Sequence, residues 1–322
     1  MRAALLYGPG DLRIEEVDDP VAGPGEVVLR IGAAMTCGTD VKSVARGHPS
    51  IASYPTRLGH EFAGTVESVG EGVTNVAPGD VVFCSDSAPC GTCRPCTRGR
   101  ESLCEDLLYL LGGFAEKLVV PERVVRTNLH TLPDGLELAL APLAEPLACA
   151  VHALDATPLT PGDRVTILGA GSLGVMLTAL ASAAGGEVTV LDPHPERLAV
   201  AERFGAHATG EPAEPADLVV EAVGRPEAWE QAVSRAAPGG VVNLFGGCAR
   251  GSTFTIPTAR VHYEEVTILG TYHHAPRYIA DALRILASPA FPWADLAGPR
   301  ITLDELPGAL ARREHPKYSL IQ

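Results

Sequence analysis

The sequence predicts a two-domain α/β protein, a β-rich lobe followed by a doubly wound parallel sheet. Three observations predict it. The chain has 322 residues, more than one hydrophobic core ordinarily serves. Its first half is cut into short apolar runs by Gly/Pro turns, as in a small barrel. From about Asp163 the rhythm changes to strand, helix, strand, helix, the pattern of a parallel sheet covered on both faces.

The strands of the first lobe are expected over Glu26–Ala33, Gly64–Ser68, Val81–Cys84 and Ala115–Val120. Ala22-Gly-Pro-Gly and Ala77-Pro-Gly-Asp are its clearest turns. In the second lobe, strands are expected at Arg164–Leu168, Glu187–Leu191, Asp217–Glu221, Val241–Phe245 and Val266–Thr271. Pro226–Ala237 and Arg277–Ala287 read as helices. The expected division is residues 1–147 for the first domain, completed by 288–322, and 148–287 for the second.

Charge and composition narrow the partners. A net charge of −14 excludes a phosphate-backbone partner, because nucleic-acid binders present basic surface. Lysine is scarce, with only Lys42, Lys117 and Lys317. Val165 to Gly186 carries no charge over a membrane-spanning length, but Gly169, Gly171, Gly174 and Gly185 within it mark a buried strand, turn and helix. The early turn at Gly8-Pro-Gly does not suit a signal peptide. A reducing cytoplasmic location with no membrane partner is expected, so clustered cysteines point to metal before disulfide.

The most specific motif is Cys90-x2-Cys93-x2-Cys96-x7-Cys104. Four thiolates so close can form a closed S4 shell around Zn²⁺ from a single loop, which suits structure better than catalysis. An iron–sulfur cluster is the rival. The bacterial ferredoxin run has a shorter last spacing and a proline after its final cysteine, where this chain has Glu105.

Gly169-Ala-Gly171-Ser172-Leu173-Gly174 follows a predicted strand and opens an apolar helix, the context that gives such a motif meaning. Gly169 permits the tight turn, Gly171 lets backbone approach a pyrophosphate, and Gly174 allows close helix–strand packing. The free N–H groups at Ser172 and Leu173 then face the anion. Asp192 ends the next strand, where a carboxylate binds ribose hydroxyls and repels a 2′-phosphate, favouring NAD over NADP. Arg197 lies close by in sequence and joins the expected coenzyme set.

A third, dispersed set is Cys37-Gly-Thr39-Asp40, Gly59-His60-Glu61 and Glu145-Pro146. Singly each is ordinary: a buried cysteine, a core histidine, a helix-capping glutamate. Together they offer the thiolate, imidazole and carboxylate ligands of an open catalytic zinc.

These motifs, in this order and spacing over nearly the whole chain, resemble the zinc-containing medium-chain dehydrogenases. Glu145-Pro-Leu looks more like the sorbitol/L-iditol and threonine dehydrogenase branches than the ethanol dehydrogenases. The resemblance implies a GroES-like β-barrel catalytic domain, a Rossmann coenzyme domain and an active-site cleft between them. It implies catalytic-zinc ligands at Cys37, His60 and Glu61, with Glu145 binding directly or through water. Cys90, Cys93, Cys96 and Cys104 would hold the structural zinc, and Asp40 would orient a ligand. Thr39 would take the alcohol proton, and Lys42 stands where many relatives carry the relay histidine.

The activity so implied is hydride transfer between a secondary alcohol and NAD, with a small-molecule alcohol or ketone as partner and a homo-oligomer, dimer or tetramer, as the assembly. A polyol, cyclitol or sugar-derived alcohol is the expected substrate, and an amino alcohol the alternative. His273 and His274 could face substrate hydroxyls, whereas Arg46 and His48 would suit an acidic or phosphorylated one. A zinc-free reductase or a non-catalytic nucleotide binder would follow from loss of a ligand, and none is lost. Cys149, just past Glu145-Pro-Leu-Ala, reads as a buried structural cysteine.

Overall fold

A computed structural model describes residues 1–47, 51, 53–210, 214–312 and 314–322, without the side chain of residue 208. The chain divides into two compact units. The first comprises Met1–Ala148, His274–Pro289 and Trp293–Gln322; the second comprises Cys149–His273 and Ala290–Pro292.

The first unit is built on the strand Val27–Met35, which is apolar along most of its length and buried on both faces. It pairs antiparallel with Glu61–Val69, Lys117–Val120 and Ser319–Ile321. Beyond Glu61–Val69 the sheet continues through Val81–Cys84 to Leu129–Thr131. Leu29, Ile31, Phe62, Phe114, Val120 and Leu320 fill the interior. Burying an aliphatic or aromatic side chain of this size contributes about 1.5–3 kcal/mol, so the core holds the strand register firmly.

That register positions the chemistry. Met35 is paired with Glu61 on one side and with Ser319 on the other. Cys37, His60, Glu61 and Lys317 therefore all fall within two residues of one rung.

The second unit is a six-stranded parallel sheet in the order Ala208–Thr209, Glu187–Leu191, Arg164–Leu168, Ala216–Glu221, Ala236–Leu244, Thr267–Gly270. The chain runs outward from Arg164–Leu168, then returns to lay Ala216–Glu221 on its other side. That reversal makes a switch point at the carboxyl end of the central strand, where doubly wound sheets bind ligands.

Two element bounds differ from the sequence reading for a physical reason. The strand expected at Val241–Phe245 begins at Ala236 and takes Pro238, Gly239 and Gly240 into itself. A register shift opposite Ala216/Leu218 absorbs them, so a turn signal became an irregularity within a strand. The helix expected over Pro226–Ala237 stops at Arg235, clear of Pro238. The helix Pro276–Ala287 belongs to the first unit, packed on Glu122–Asn128 and on the 3-10 turn Ala141–Leu143. Among the described residues, no helix is long and apolar enough to cross a membrane.

Candidate catalytic and metal-binding sites

In the first unit, Cys37 stands just past the strand Val27–Met35, at the N-cap of the helix Gly38–Arg46. Asp40, in the first turn, accepts the Cys37 backbone N–H at 2.8 Å through Oδ2. Its Oδ1 lies 3.2 Å from His60 Nδ1. Both side chains are buried, and this contact leaves Nε2 as the nitrogen open to a metal. Burial works to depress the His60 pKa, but Asp40 and Cys37 outweigh it and hold the imidazole well above its usual range.

Glu61 is fully buried. Its Oε2 pairs with Lys317 Nζ, and the same ammonium donates to the Thr36 carbonyl at 3.0 Å. Its Oε1 is buried with no hydrogen-bond partner. Burial pushes the Glu61 carboxyl up, against the pull of Lys317. Ligand atoms of Cys37, His60 and Glu61 all lie within 4.8 Å of one another. A buried carboxylate oxygen with no hydrogen-bond partner, set beside a thiol and an imidazole, makes a donor set that fits zinc.

A second buried cluster adjoins this one. Asp86 Oδ1 lies 3.0 Å from His274 Nε2, which lies 3.6 Å from Glu145 Oε1. Glu145 sits in the first turn of the helix Ala144–Asp155. Burial first, then the Asp86 charge, pushes its pKa up to about 7, against the opposing influence of His60 and His274. Glu145 thus stands with Asp86 and His274, beside the Cys37–His60–Glu61 triad. Thr39 is half-buried in the helix Gly38–Arg46, and Lys42 and Arg46 are exposed on it. His48 lies outside the described residues.

The four cysteines converge as their spacing suggests. Cys93 Sγ is 3.3 Å from Cys96 Sγ and 3.8 Å from Cys104 Sγ. A tetrahedron with Zn–S bonds of about 2.3 Å has edges of about 3.8 Å, so the cage is of the right size. All eight cysteines are unbridged. Backbone N–H groups of Thr92 and Cys93 point at Cys90 Sγ, lowering its pKa to about 6. Burial raises Cys96 to about 12, the cost that a bound cation would relieve.

In the second unit, Gly169 turns the chain at the end of the central strand with φ +100°, a left-handed value. Gly174 must be glycine, since a Cβ there would lie 1.8 Å from the Gly169 carbonyl oxygen. Gly171 caps the helix Ser172–Ala183, and a Cβ at Gly171 would meet nothing within 4 Å. Ser172 and Leu173 form the first helical turn, where backbone N–H groups have no partner within the helix. Asp192 Oδ2 accepts the Ala170 N–H at 2.8 Å, and Arg197 Nη1 lies 3.8 Å from it. His273 is half-buried with φ 59°, and its carbonyl lies 2.8 Å from His152 Nδ1. Cys149 is half-buried and begins this unit.

Three residues emerge that sequence reasoning gave no role. Lys317 was visible only as one of three lysines, and Asp86 only as the residue four before the first clustered cysteine. Glu221, fully buried, accepts the Val223 and Gly224 N–H groups at 2.8 Å each and shapes the loop beside the glycine turn.

Comparison with known proteins decides the family. The alcohol dehydrogenase GroES-like domain matches residues 23–134, and the zinc-binding dehydrogenase domain matches residues 172–288. The chain belongs to the zinc-containing medium-chain alcohol dehydrogenase family. This dehydrogenase is 30% identical to a sorbitol dehydrogenase of Bombyx mori, over 96% of this chain and 94% of the relative. It is 33% identical to an L-threonine 3-dehydrogenase of Bacillus velezensis, over 80% and 79%. A zinc-binding dehydrogenase of Sinorhizobium meliloti 1021, solved bound to NADP, superposes with a TM-score of 0.91 at 28% identity, covering 100% of this chain and 99% of that one. The dehydrogenase is accordingly an oxidoreductase with a GroES-like domain and a Rossmann-type domain.

Proposed function

We propose that this dehydrogenase oxidises a polyol, cyclitol or sugar-derived secondary alcohol with NAD as hydride acceptor. The observation that carries the reading is the Cys37–His60–Glu61 triad, half-buried at Cys37 and buried at His60 and Glu61, with its orphaned Glu61 oxygen. Cys37, His60 and Glu61 would hold the catalytic zinc, Glu145 would join directly or through water, and Cys90, Cys93, Cys96 and Cys104 would hold the structural one. When bound, the metal supplies Lewis acidity toward an alcohol oxygen, and the nicotinamide supplies a hydride acceptor.

The chain's own residues then have distinct tasks. Asp40 fixes the His60 ring by its Nδ1 contact. Lys317 offsets the charge of Glu61 in a buried site. Thr39 would accept the alcohol proton as its own hydroxyl proton passes outward, and Lys42, exposed one turn on, would carry that proton only as the neutral amine. Gly169, Gly171, Ser172, Leu173 and Gly174 cradle the pyrophosphate, and Asp192 with Arg197 meets the adenosine ribose. Support for NAD is the Asp192 carboxylate held at the glycine turn, where a 2′-phosphate would be repelled. Four thiolates that must stay reduced support a cytoplasmic enzyme.

An amino alcohol is the second reading, favoured by the two buried carboxylates Asp86 and Glu145, which suit an ammonium group. The test is a panel of polyols, cyclitols, amino alcohols and hydroxy acids, each with NAD and with NADP, followed by nicotinamide absorbance. Turnover of a polyol with NAD, lost in His60→Ala, is expected. Preference for NADP, or turnover surviving in His60→Ala, would overturn the assignment.

A further inference from the structure

The helix Pro276–Ala287 carries His274 just ahead of its start and Arg277 as its second residue. Arg277 Nη1 donates to Glu101 Oε2 at 2.7 Å, and Nη2 donates to the Gly99 carbonyl at 3.3 Å and to the Tyr278 hydroxyl at 2.9 Å. The guanidinium also lies 4.3 Å from the centre of the Tyr278 ring. Gly99 and Glu101 both stand between Cys96 and Cys104, inside the four-cysteine loop.

Asp86 is tied to the same loop from the other side. It lies four residues before Cys90, separated by the short strand Ser87–Ala88. That strand pairs with Leu108–Tyr109, just beyond Cys104, and so closes the base of the loop. The Leu110 N–H donates to the Asp86 carbonyl at 2.6 Å. Both ends of the 3.0 Å contact between His274 and Asp86 are thus anchored to one loop, Asp86 through the chain and His274 through Arg277. His274 in turn stands 3.6 Å from Glu145.

We propose that the four-cysteine loop sets the geometry of the candidate catalytic site through Arg277, a positioning residue that holds His274 against Asp86 and Glu145. The proposal rests on the functional reading above. A loop closed by four metal-binding thiolates is a stiff template, whereas the residues leading into a helix are among its softest. An error of about 1 Å in placing a site residue can cost on the order of a hundredfold in rate. The arginine side chain is 47% exposed, so its ion pair with Glu101 adds little to overall stability. Loss of Arg277 should therefore disturb the site without unfolding the protein.

The experiment uses the zinc-loaded enzyme and a double-mutant cycle between Arg277→Met and His274→Gln. Arg277→Met is expected to keep its zinc content and melting temperature while kcat/KM falls about tenfold. Arg277→Lys should restore most of the loss. In the His274→Gln background, removing Arg277 should cost no more than about twofold, because its effect passes through His274. Side-chain ¹⁵N spectra supply a readout independent of turnover: Arg277→Met should shift the His274 resonances and leave those of His60 in place. Multiplicative losses, an unmoved His274 signal, or zinc loss in Arg277→Met would overturn the proposal. Should the parent enzyme turn over no alcohol, the functional reading fails, and the His274 spectrum still decides the positioning claim.

Discussion

Lys317 concentrates the energetics of the site in one side chain. It is 3% exposed, and a buried ammonium survives only with close partners, here Glu61 and the Thr36 carbonyl. Replacing it with Met leaves the Glu61 carboxylate buried without its counter-charge. We expect Lys317→Met to lose about 3–5 kcal/mol of folding stability. The double variant Glu61→Gln/Lys317→Met should recover most of that loss, since removing both charges is close to neutral. Denaturant melts of the three variants check this, and an unaffected single variant would show that the pair is not coupled. The pairing could not be read from sequence because 256 residues separate the partners. Periodicity marks Lys317 only as a polar residue near a strand, and nothing local names what it faces. Cys37, His60 and Glu61 were visible as residue types, whereas the Asp86–His274 contact spans 188 residues and left no local sign.

Among elements, the four-cysteine loop was the most legible and the register of the barrel strands the least. Four cysteines within one loop can reach one another by local geometry alone, so their spacing carried the answer. The glycine turn was readable for the same reason, because Gly169 and Gly174 meet within a single turn. The rung that aligns Glu61, Met35 and Ser319 is different, since pairing partners depend on the whole core and not on the strands' own pattern. The strand expected from Val241 starts five residues earlier and takes in Pro238-Gly-Gly, residues that disfavour a strand by themselves. For the loop we expect Cys93→Ser to open the sulfur cage, with loss of one zinc per chain and a fall in melting temperature. The Cys93 sulfur contacts two of the other three, so its removal should be felt across the cage. Retention of full zinc content and stability, by metal analysis and calorimetry, would refute the structural assignment.

For the molecule as a whole, the buried carboxylates make stability depend on pH. Glu145 titrates near 7 in the folded chain, above the ordinary glutamate value of 4.5. The zinc-free folded state therefore holds a proton that the unfolded chain has already released. Its stability should be fully present below about pH 4.5 and decline as pH rises through 7, by on the order of 3 kcal/mol from this group. Glu145→Gln should flatten that part of the curve, and unfolding titrations of zinc-free protein across this range would reveal it; an unchanged slope would argue against the buried charge. The two-unit architecture and the parallel sheet were legible from rhythm and turns, but the late position of Lys317 in the chain has a consequence for biosynthesis. On the ribosome, Cys37, His60, Glu61 and Glu145 emerge first, and the lysine that neutralises Glu61 emerges after all of them. A nascent chain can assemble most of its barrel and its whole parallel sheet while that carboxylate still lacks its ammonium partner. Strand Ser319–Ile321 then docks beside Val27–Met35 and brings the charge with it. Completion of the site thereby waits for Lys317, and a chain stalled before residue 317 would hold its parallel sheet yet leave Glu61 without its counter-charge.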